Sequence, residues 1–193
     1  KAEKLVNWDT VLKTAISDLE VDQREMNSKI YYIRYPIDNS SDFITIATTR
    51  PETMLGDTAI AVNPKDKRFK KYVGKTVTIP IAGRKIKIIK DNYADPEQGT
   101  GALKITPAHD FNDYDVGQRN KLDIINVFTE DGKINHNAPN NYVGLDRFEA
   151  RKKILNELKE KHFFVNVYKI KNKVPYVDRS NSVIEAVLTE HCF

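Results

Sequence analysis

From Lys29 onward, hydrophobic and polar positions alternate in a strand-like way, and two stretches switch to a helical period. Residues i and i+2 share one face of a strand, so this alternation predicts half-buried strands. Ile30-Tyr-Tyr-Ile-Arg-Tyr35 and Phe43-Ile-Thr-Ile-Ala47 are rich in β-branched and aromatic residues and flank Asp38-Asn-Ser-Ser-Asp42, which predicts a hairpin. Further strands are expected at Ala59 to Val62, Val77 to Ile81, Lys85 to Ile89 and Ala102 to Ile105, with Ala82-Gly-Arg84 as a tight turn. Ile124 to Phe128 and Lys133-Ile134 flank Glu130-Asp-Gly132 as a second hairpin signal, and strands return at Phe163 to Ile170 and Ser182 to Leu188. Residues 1 to 22 carry no long amphipathic period and read as an extended lead-in. Helices are expected at Asp110 to Lys121 and Asp146 to Lys161. In the second, Phe148, Ile154, Leu155 and Leu158 make an apolar stripe, and Asp146 stands where it can cap the helix.

Many short strands with few helices predict the α+β class, a β-barrel-like core decorated by helices. The chain has 193 residues, enough for one substantial core and too few for two comfortable ones, so a single domain over 1–193 is expected. Strands at both ends point to inserted-domain topology with the termini close together. Hydrophobic residues make up 40% and charged residues 30%, with 8 Gly and 8 Pro, which excludes disordered, collagenous and disulfide-scaffold classes. The one cysteine, Cys192, has no internal partner, which fits a reducing cytoplasm. No apolar run approaches the roughly 20 residues of a membrane span, and Lys1-Ala-Glu-Lys-Leu5 shows no signal-peptide pattern, so no membrane partner is expected. The net charge of +4 mildly favours a polyanionic partner; the lysines of Lys65 to Lys90 and Lys152 to Lys173 are equally compatible with solvated faces.

Candidate chemistry concentrates in two segments. Thr48-Thr-Arg-Pro-Glu-Thr-Met-Leu-Gly-Asp57 follows a strand, with Pro51 suited to the first position of a short helix. Its hydroxyls and backbone donors could hold a carbonyl or ribose oxygen, or simply cap a helix. In the second segment, Gly99-Thr-Gly101 allows a sharp approach, and strand alternation then sets Ala102, Lys104 and Thr106 on one side. Pro107 ends the strand, and Asp110 and Asp113 lie three residues apart on one helix face, as a working pair or as ordinary charges at a helix N-terminus. His109 reads as a proton relay or a structural histidine. A metal on His109, Asp110 and Asp113 lacks a second histidine at ligand spacing, so none is expected. No Ser-His-Asp or Cys-His arrangement suggests a covalent intermediate.

Thr48-Thr-Arg-Pro-Glu-Thr53 and Gly99-Thr-Gly-Ala-Leu-Lys-Ile-Thr-Pro-Ala-His-Asp-Phe-Asn-Asp-Tyr-Asp-Val-Gly117 resemble the two signature segments of the editing domains inserted in class I aminoacyl-tRNA synthetases, in their valyl branch. The resemblance covers nearly the whole chain, including Asn126-Val-Phe-Thr-Glu-Asp-Gly-Lys-Ile-Asn135. It implies post-transfer editing: hydrolysis of the aminoacyl ester of threonine mischarged onto tRNA(Val). A hydrophobic synthetic pocket rejects threonine by only about 10², so a second pocket that demands the hydroxyl restores accuracy. By resemblance, Asp113 anchors the substrate ammonium as the catalytic positioning residue and Asp110 accepts the threonine hydroxyl. Lys104, Thr106, Thr48, Thr49, Arg50, Thr53 and His109 are the other candidates to line the pocket. A water, assisted by a ribose hydroxyl, then attacks the ester.

The same resemblance makes residues 1–22 and about 175–193 linker strands to an absent synthetic domain, which alone would use ATP; editing itself is expected to need no cofactor. The implied partners are the tRNA(Val) acceptor end carrying threonine and the rest of the parent synthetase, with the protein a monomer. Val177, Ala186 and His191-Cys192 depart from the family's glycine, proline and Gln-Trp, which bears on the return linker rather than the pocket. An isoleucyl-type domain that removes valine, or a non-catalytic insertion that binds the acceptor end, are the rival readings.

Overall fold

The computed structural model describes residues 2–191, so Cys192 lies outside the described residues. Strands β1 (Ala2–Asp9), β2 (Thr14–Ile16) and β11 (Glu185–His191) form a three-stranded sheet in the order β11-β1-β2. Ala2 pairs with His191 and Trp8 with Glu185, so the two outer segments run side by side, as the expected proximity of the termini requires. The β1–β2 turn is built on Asp9, whose buried carboxylate accepts the N–H groups of Val11 and Leu12 at 2.9 and 3.1 Å.

The second sheet contains β3 (Val21–Pro36), β4 (Phe43–Thr48), β9 (Phe164–Val177) and β10 (Ser182–Val183), in the order β10-β9-β3-β4. The predicted hairpin is the β3–β4 pair, with Tyr31 opposite Thr48 and Pro36 opposite Phe43. β3 starts at Val21, well before the expected Ile30, and β9 continues to Val177, past the expected Ile170. Their extra halves form a two-stranded ribbon, Val21 opposite Val177 through Ile30 opposite Tyr168. The β3 half, Val21 to Lys29, is mostly polar and exposed and shows little alternation, while the β9 half alternates only weakly, with half-buried Ile170, Val174 and Tyr176 among exposed lysines.

The third sheet is β6 (Thr76–Thr78), β7 (Lys85–Lys90), β5 (Ala59–Val62) and β8 (Leu103–Ile105), in the order β6-β7-β5-β8, with β5 and β7 parallel and the other pairs antiparallel. β6 stops short of the expected Ile81 because Pro80 has no N–H to give and Ile81 takes a positive φ of 70°. Strand structure is also absent over Ile124 to Phe128. The Val127 N–H goes to the His109 ring and the Phe128 N–H to the Asn126 side chain, leaving only a single bridge between Phe128 and Ile134.

One core joins the last two sheets: Ile33, Tyr35, Ile44 and Ile46 from one, Ile60, Val62, Ile86 and Ile88 from the other. Ile154 and Leu158 of α2 (Arg147–Glu160) cover it. α2 is capped by Asp146, which accepts the Phe148 N–H at 2.9 Å. Its buried face is Arg147, Ala150, Ile154 and Leu158; Phe148 and Leu155, expected in the stripe, lie toward its edge. The fold is the expected α+β with few helices. Its sheets wrap the core, linked by a bridge from Ile37 to Val77, and stay open: none closes into a barrel among the described residues. No described helix is long and apolar enough to cross a membrane.

Candidate functional site

β4 runs directly into the threonine-rich segment. The Thr48 hydroxyl accepts the Arg50 N–H at 3.0 Å, and Pro51 opens a buried 3₁₀ helix, Pro51–Gly56. Proline suits that first position because its missing N–H would have had no partner there. The Thr53 hydroxyl donates back to the Arg50 carbonyl at 2.9 Å, closing the turn.

β8 brings Lys104 and Thr106 against this helix. The Lys104 ammonium donates to Thr53 Oγ1 at 2.8 Å and to Thr106 Oγ1, and pairs with Asp57 Oδ1 at 2.8 Å. Thr106 Oγ1 and the Tyr35 hydroxyl donate to the two Asp57 oxygens at 2.6 Å each. All three ammonium protons and both carboxylate oxygens are thus engaged in a nearly water-free site, the condition under which a buried ion pair is tolerated. Burial pushes the Asp57 carboxyl up from its usual range, while Lys104 and the two hydroxyls restrain that rise. Lys104 is therefore the hub that fixes Thr53 and Thr106 from behind.

Past Pro107 the chain turns into α1 (Phe111–Asn120). Asp110 caps the helix: its Oδ1 accepts the Asp113 N–H at 2.9 Å, leaving Oδ2 with no partner among the described residues. Asp110 is exposed, whereas Asp113 is buried and accepts the Thr106 N–H on Oδ2 at 2.9 Å. Burial first, and the Asp110 charge second, push the Asp113 carboxyl up to about 7, against the pull of Lys104 and the Thr106 N–H. Burial first, then the Asp110 and Asp113 charges, also push the Tyr93 hydroxyl up.

On the other flank, Arg50 donates through Nη1 to the His109 carbonyl at 3.2 Å and pairs through Nη2 with Glu185. The second Glu185 oxygen takes Arg147 Nη1 at 2.7 Å, and Arg147 Nη2 reaches the Val183 carbonyl at 2.7 Å. Burial pushes the Glu185 carboxyl up, but Arg50 and Arg147 outweigh it and hold it below the usual value. Arg151 grips Glu52 through two nitrogens at 2.9 and 2.8 Å, tying α2 to the 3₁₀ helix. A cavity of about 560 Å³ lies here, its lining including Thr49, Arg50, His109, Asp110, Phe148 and Tyr176.

The structure therefore divides the candidate residues between two adjoining regions. Thr53, Lys104, Thr106 and Asp113 form a buried cluster; Thr49, Arg50, His109 and Asp110 line the cavity; Thr48 braces the turn between them. His109 is held structurally. Its Nε2 accepts the Val127 N–H at 3.0 Å, and burial lowers its pKa to about 4, so the ring is neutral near pH 7. Its Nδ1 is buried and, among the described residues, faces the Ala186 backbone without a well-formed hydrogen bond. No group of three or more His, Cys, Asp or Glu among the described residues is arranged to hold a metal ion.

Sequence reading did not single out Tyr35, Asp57, Glu52, Glu185, Arg147 or Arg151. A signal existed for the acids. Val183-Ile-Glu-Ala-Val-Leu188 sets one carboxylate in an apolar strand, and Glu52 and Asp57 flank Met54-Leu55, a setting that asks for a buried partner. For the arginines there was none.

The family described as leucyl-tRNA synthetase, editing domain, matches residues 67–169. The chain is 79% identical over all 193 residues to a valine-tRNA ligase of Pelagibacter ubique, 52% to that of Dechloromonas aromatica and 47% to that of Thermotoga maritima. In each case it is covered completely but spans only 22%, 20% and 22% of the relative, about a fifth of its length. Among solved structures, the agnB2 LeuRS-tRNA-LeuAMS ternary complex of Agrobacterium radiobacter K84 superposes with a TM-score of 0.58 at 19% identity, covering 86% of this chain and 22% of that one, a likeness of fold. The chain thus belongs to the editing-domain family of the aminoacyl-tRNA synthetases, and the relatives it matches along its whole length include these valine-tRNA ligases.

Proposed function

We propose that this editing domain hydrolyses the aminoacyl ester of threonine mischarged onto tRNA(Val), acting within a valyl-tRNA synthetase. The observation that carries this reading is the acidic pair at the start of α1: a buried Asp113 pinned by the Thr106 N–H, beside an exposed Asp110 whose second carboxylate oxygen has no partner among the described residues. Two carboxylates in such different settings suit two tasks. Asp113 binds the α-ammonium group and so fixes the ester carbonyl relative to an attacking water. The Asp110 oxygen accepts the hydroxyl that distinguishes threonine from valine; valine would leave it unpaired, at a cost of about 1–3 kcal/mol. Thr49 and Arg50 face the terminal nucleotide, Thr48 holds their turn in place, and Thr53, Lys104 and Thr106 set the floor beneath it.

No nucleophilic side chain is needed, since an activated ester yields to a positioned water assisted by a substrate ribose hydroxyl. ATP serves only the synthetic part of the parent enzyme, the tRNA acceptor end and that enzyme are the partners, and the setting is cytoplasmic. The test is release of amino acid from Thr-tRNA(Val) and Val-tRNA(Val) by wild type and Asp113→Ala. Threonine is released and valine spared by wild type, and Asp113→Ala releases neither. Preferential release of valine, as from Val-tRNA(Ile), would establish the isoleucyl-type reading instead, and equal release by Asp113→Ala would leave only a binding module.

A further inference from the structure

Glu185 stands out because it belongs to no part of the acidic pair yet ties together elements remote in sequence. It sits on β11, whereas Arg50 lies just past β4 at the start of the 3₁₀ helix, 135 residues away. Its side chain is 1% exposed, and its two oxygens are divided between Arg50 and Arg147. Arg147 is itself anchored to the Val183 carbonyl on the strand before β11, so the carboxylate has no freedom to rotate. Arg50, by contrast, remains 35% exposed, lines the cavity with Thr49 and Asp110, and among the described residues its guanidinium is held by Glu185 and the His109 carbonyl. A guanidinium on a flexible stem carries considerable rotamer entropy, which a fixed counter-charge removes before substrate arrives.

We propose that Glu185 is a positioning residue of the editing site, holding Arg50 in the orientation in which it meets the terminal nucleotide of the aminoacyl-tRNA. The inference rests on the deacylase reading above. It assigns to the β1–β11 sheet a direct mechanical link to the pocket: a displacement of β11 moves Glu185, and with it Arg50. A purely structural role predicts something different, a loss of stability with no selective effect on substrate binding.

The experiment is a double-mutant cycle with Thr-tRNA(Val) as substrate, using Glu185→Gln, Arg50→Lys and both together. Glu185→Gln keeps the shape and removes the charge. It is expected to raise KM about tenfold, the worth of one charge-assisted hydrogen bond, with kcat within about twofold. In the Arg50→Lys background the same change is expected to add little, because the partner through which it acts is gone. The Arg50 side-chain N–H resonance in the NMR spectrum of the free protein should shift and broaden in Glu185→Gln. Where that variant lacks a cooperative melt, Glu185→Asp replaces it, one methylene too short to reach both arginines. An unchanged KM, an unchanged Arg50 resonance, or an equal effect with and without Arg50 overturns the proposal. Wild-type protein that leaves the ester intact overturns the deacylase reading itself, and is seen before any variant is compared.

Discussion

At the scale of single residues, the environment of Asp113 sets a pH dependence. Its carboxyl titrates at about 7 because it is buried and because Asp110 adds a second negative charge. Only the ionised form binds an ammonium group, so kcat/KM for threonine release should climb through about pH 7 as Asp113 ionises. Asp110→Asn retains a good helix cap and removes one of the two causes, so the midpoint of the pH–rate profile should move down; a midpoint that stays in place contradicts the assignment. The same shift has a sign for stability. A carboxyl raised in the folded state binds more protons there than in the unfolded chain, so stability falls as pH rises from the ordinary carboxylate range through about 7. Asp113→Asn should therefore melt higher than wild type at pH 8, by a margin that vanishes toward pH 4, while losing about 10²-fold or more in deacylation. Thermal melts at the two pH values check the first part, and single-turnover hydrolysis the second.

At the scale of elements, the pair depends on how α1 sits against β8, since Asp113 rides on the helix and the Thr106 N–H it accepts comes from the segment that follows the strand. Gly117 permits that approach. A Cβ there would lie 2.9 Å from Pro107 Cγ and 3.0 Å from its Cβ, and a proline ring cannot move aside. Gly117→Ala gains about 1 kcal/mol of helix propensity but forces the helix outward. We expect a net loss of stability in urea denaturation and a larger proportional loss of activity, because the Asp113–Thr106 contact opens; a more stable and fully active variant would refute this. Elements of this kind were legible where one face is buried. Both helices, the β3–β4 hairpin and strand β7 follow the periodicity closely, and β5, buried on both faces, was legible as a short apolar run. The ribbon halves of β3 and β9 were not, because the β3 half is mostly polar and the β9 half buries its alternate residues only partly, and Ile124 to Phe128 misled because side chains take the backbone donors that a ladder would use.

At the scale of the whole molecule, the site is an assembly of distant segments joined by buried charges. The acidic pair and the threonine-rich turn lie within short motifs, so their identity was readable from the chain alone. Their supports were not: Glu52 finds Arg151 99 residues away and Arg50 finds Glu185 135 away, and a single sequence carries no signal for such pairings. These supports should nonetheless be expensive to break. Glu52 is 0% exposed and its carboxylate is matched by the Arg151 guanidinium on α2, so Arg151→Met would strand a charge in the interior. A loss of about 3 kcal/mol is expected, read as a lower urea midpoint with an unchanged slope. Converting both partners, Glu52→Met with Arg151→Leu, should recover most of that stability, because the apolar pair no longer has a carboxylate to desolvate. It should not recover full activity if the ion pair also sets the direction of the 3₁₀ helix that carries Thr53. Recovery of stability without activity would show that the pair is kept for geometry; recovery of both would show that packing alone suffices to hold α2 over the site.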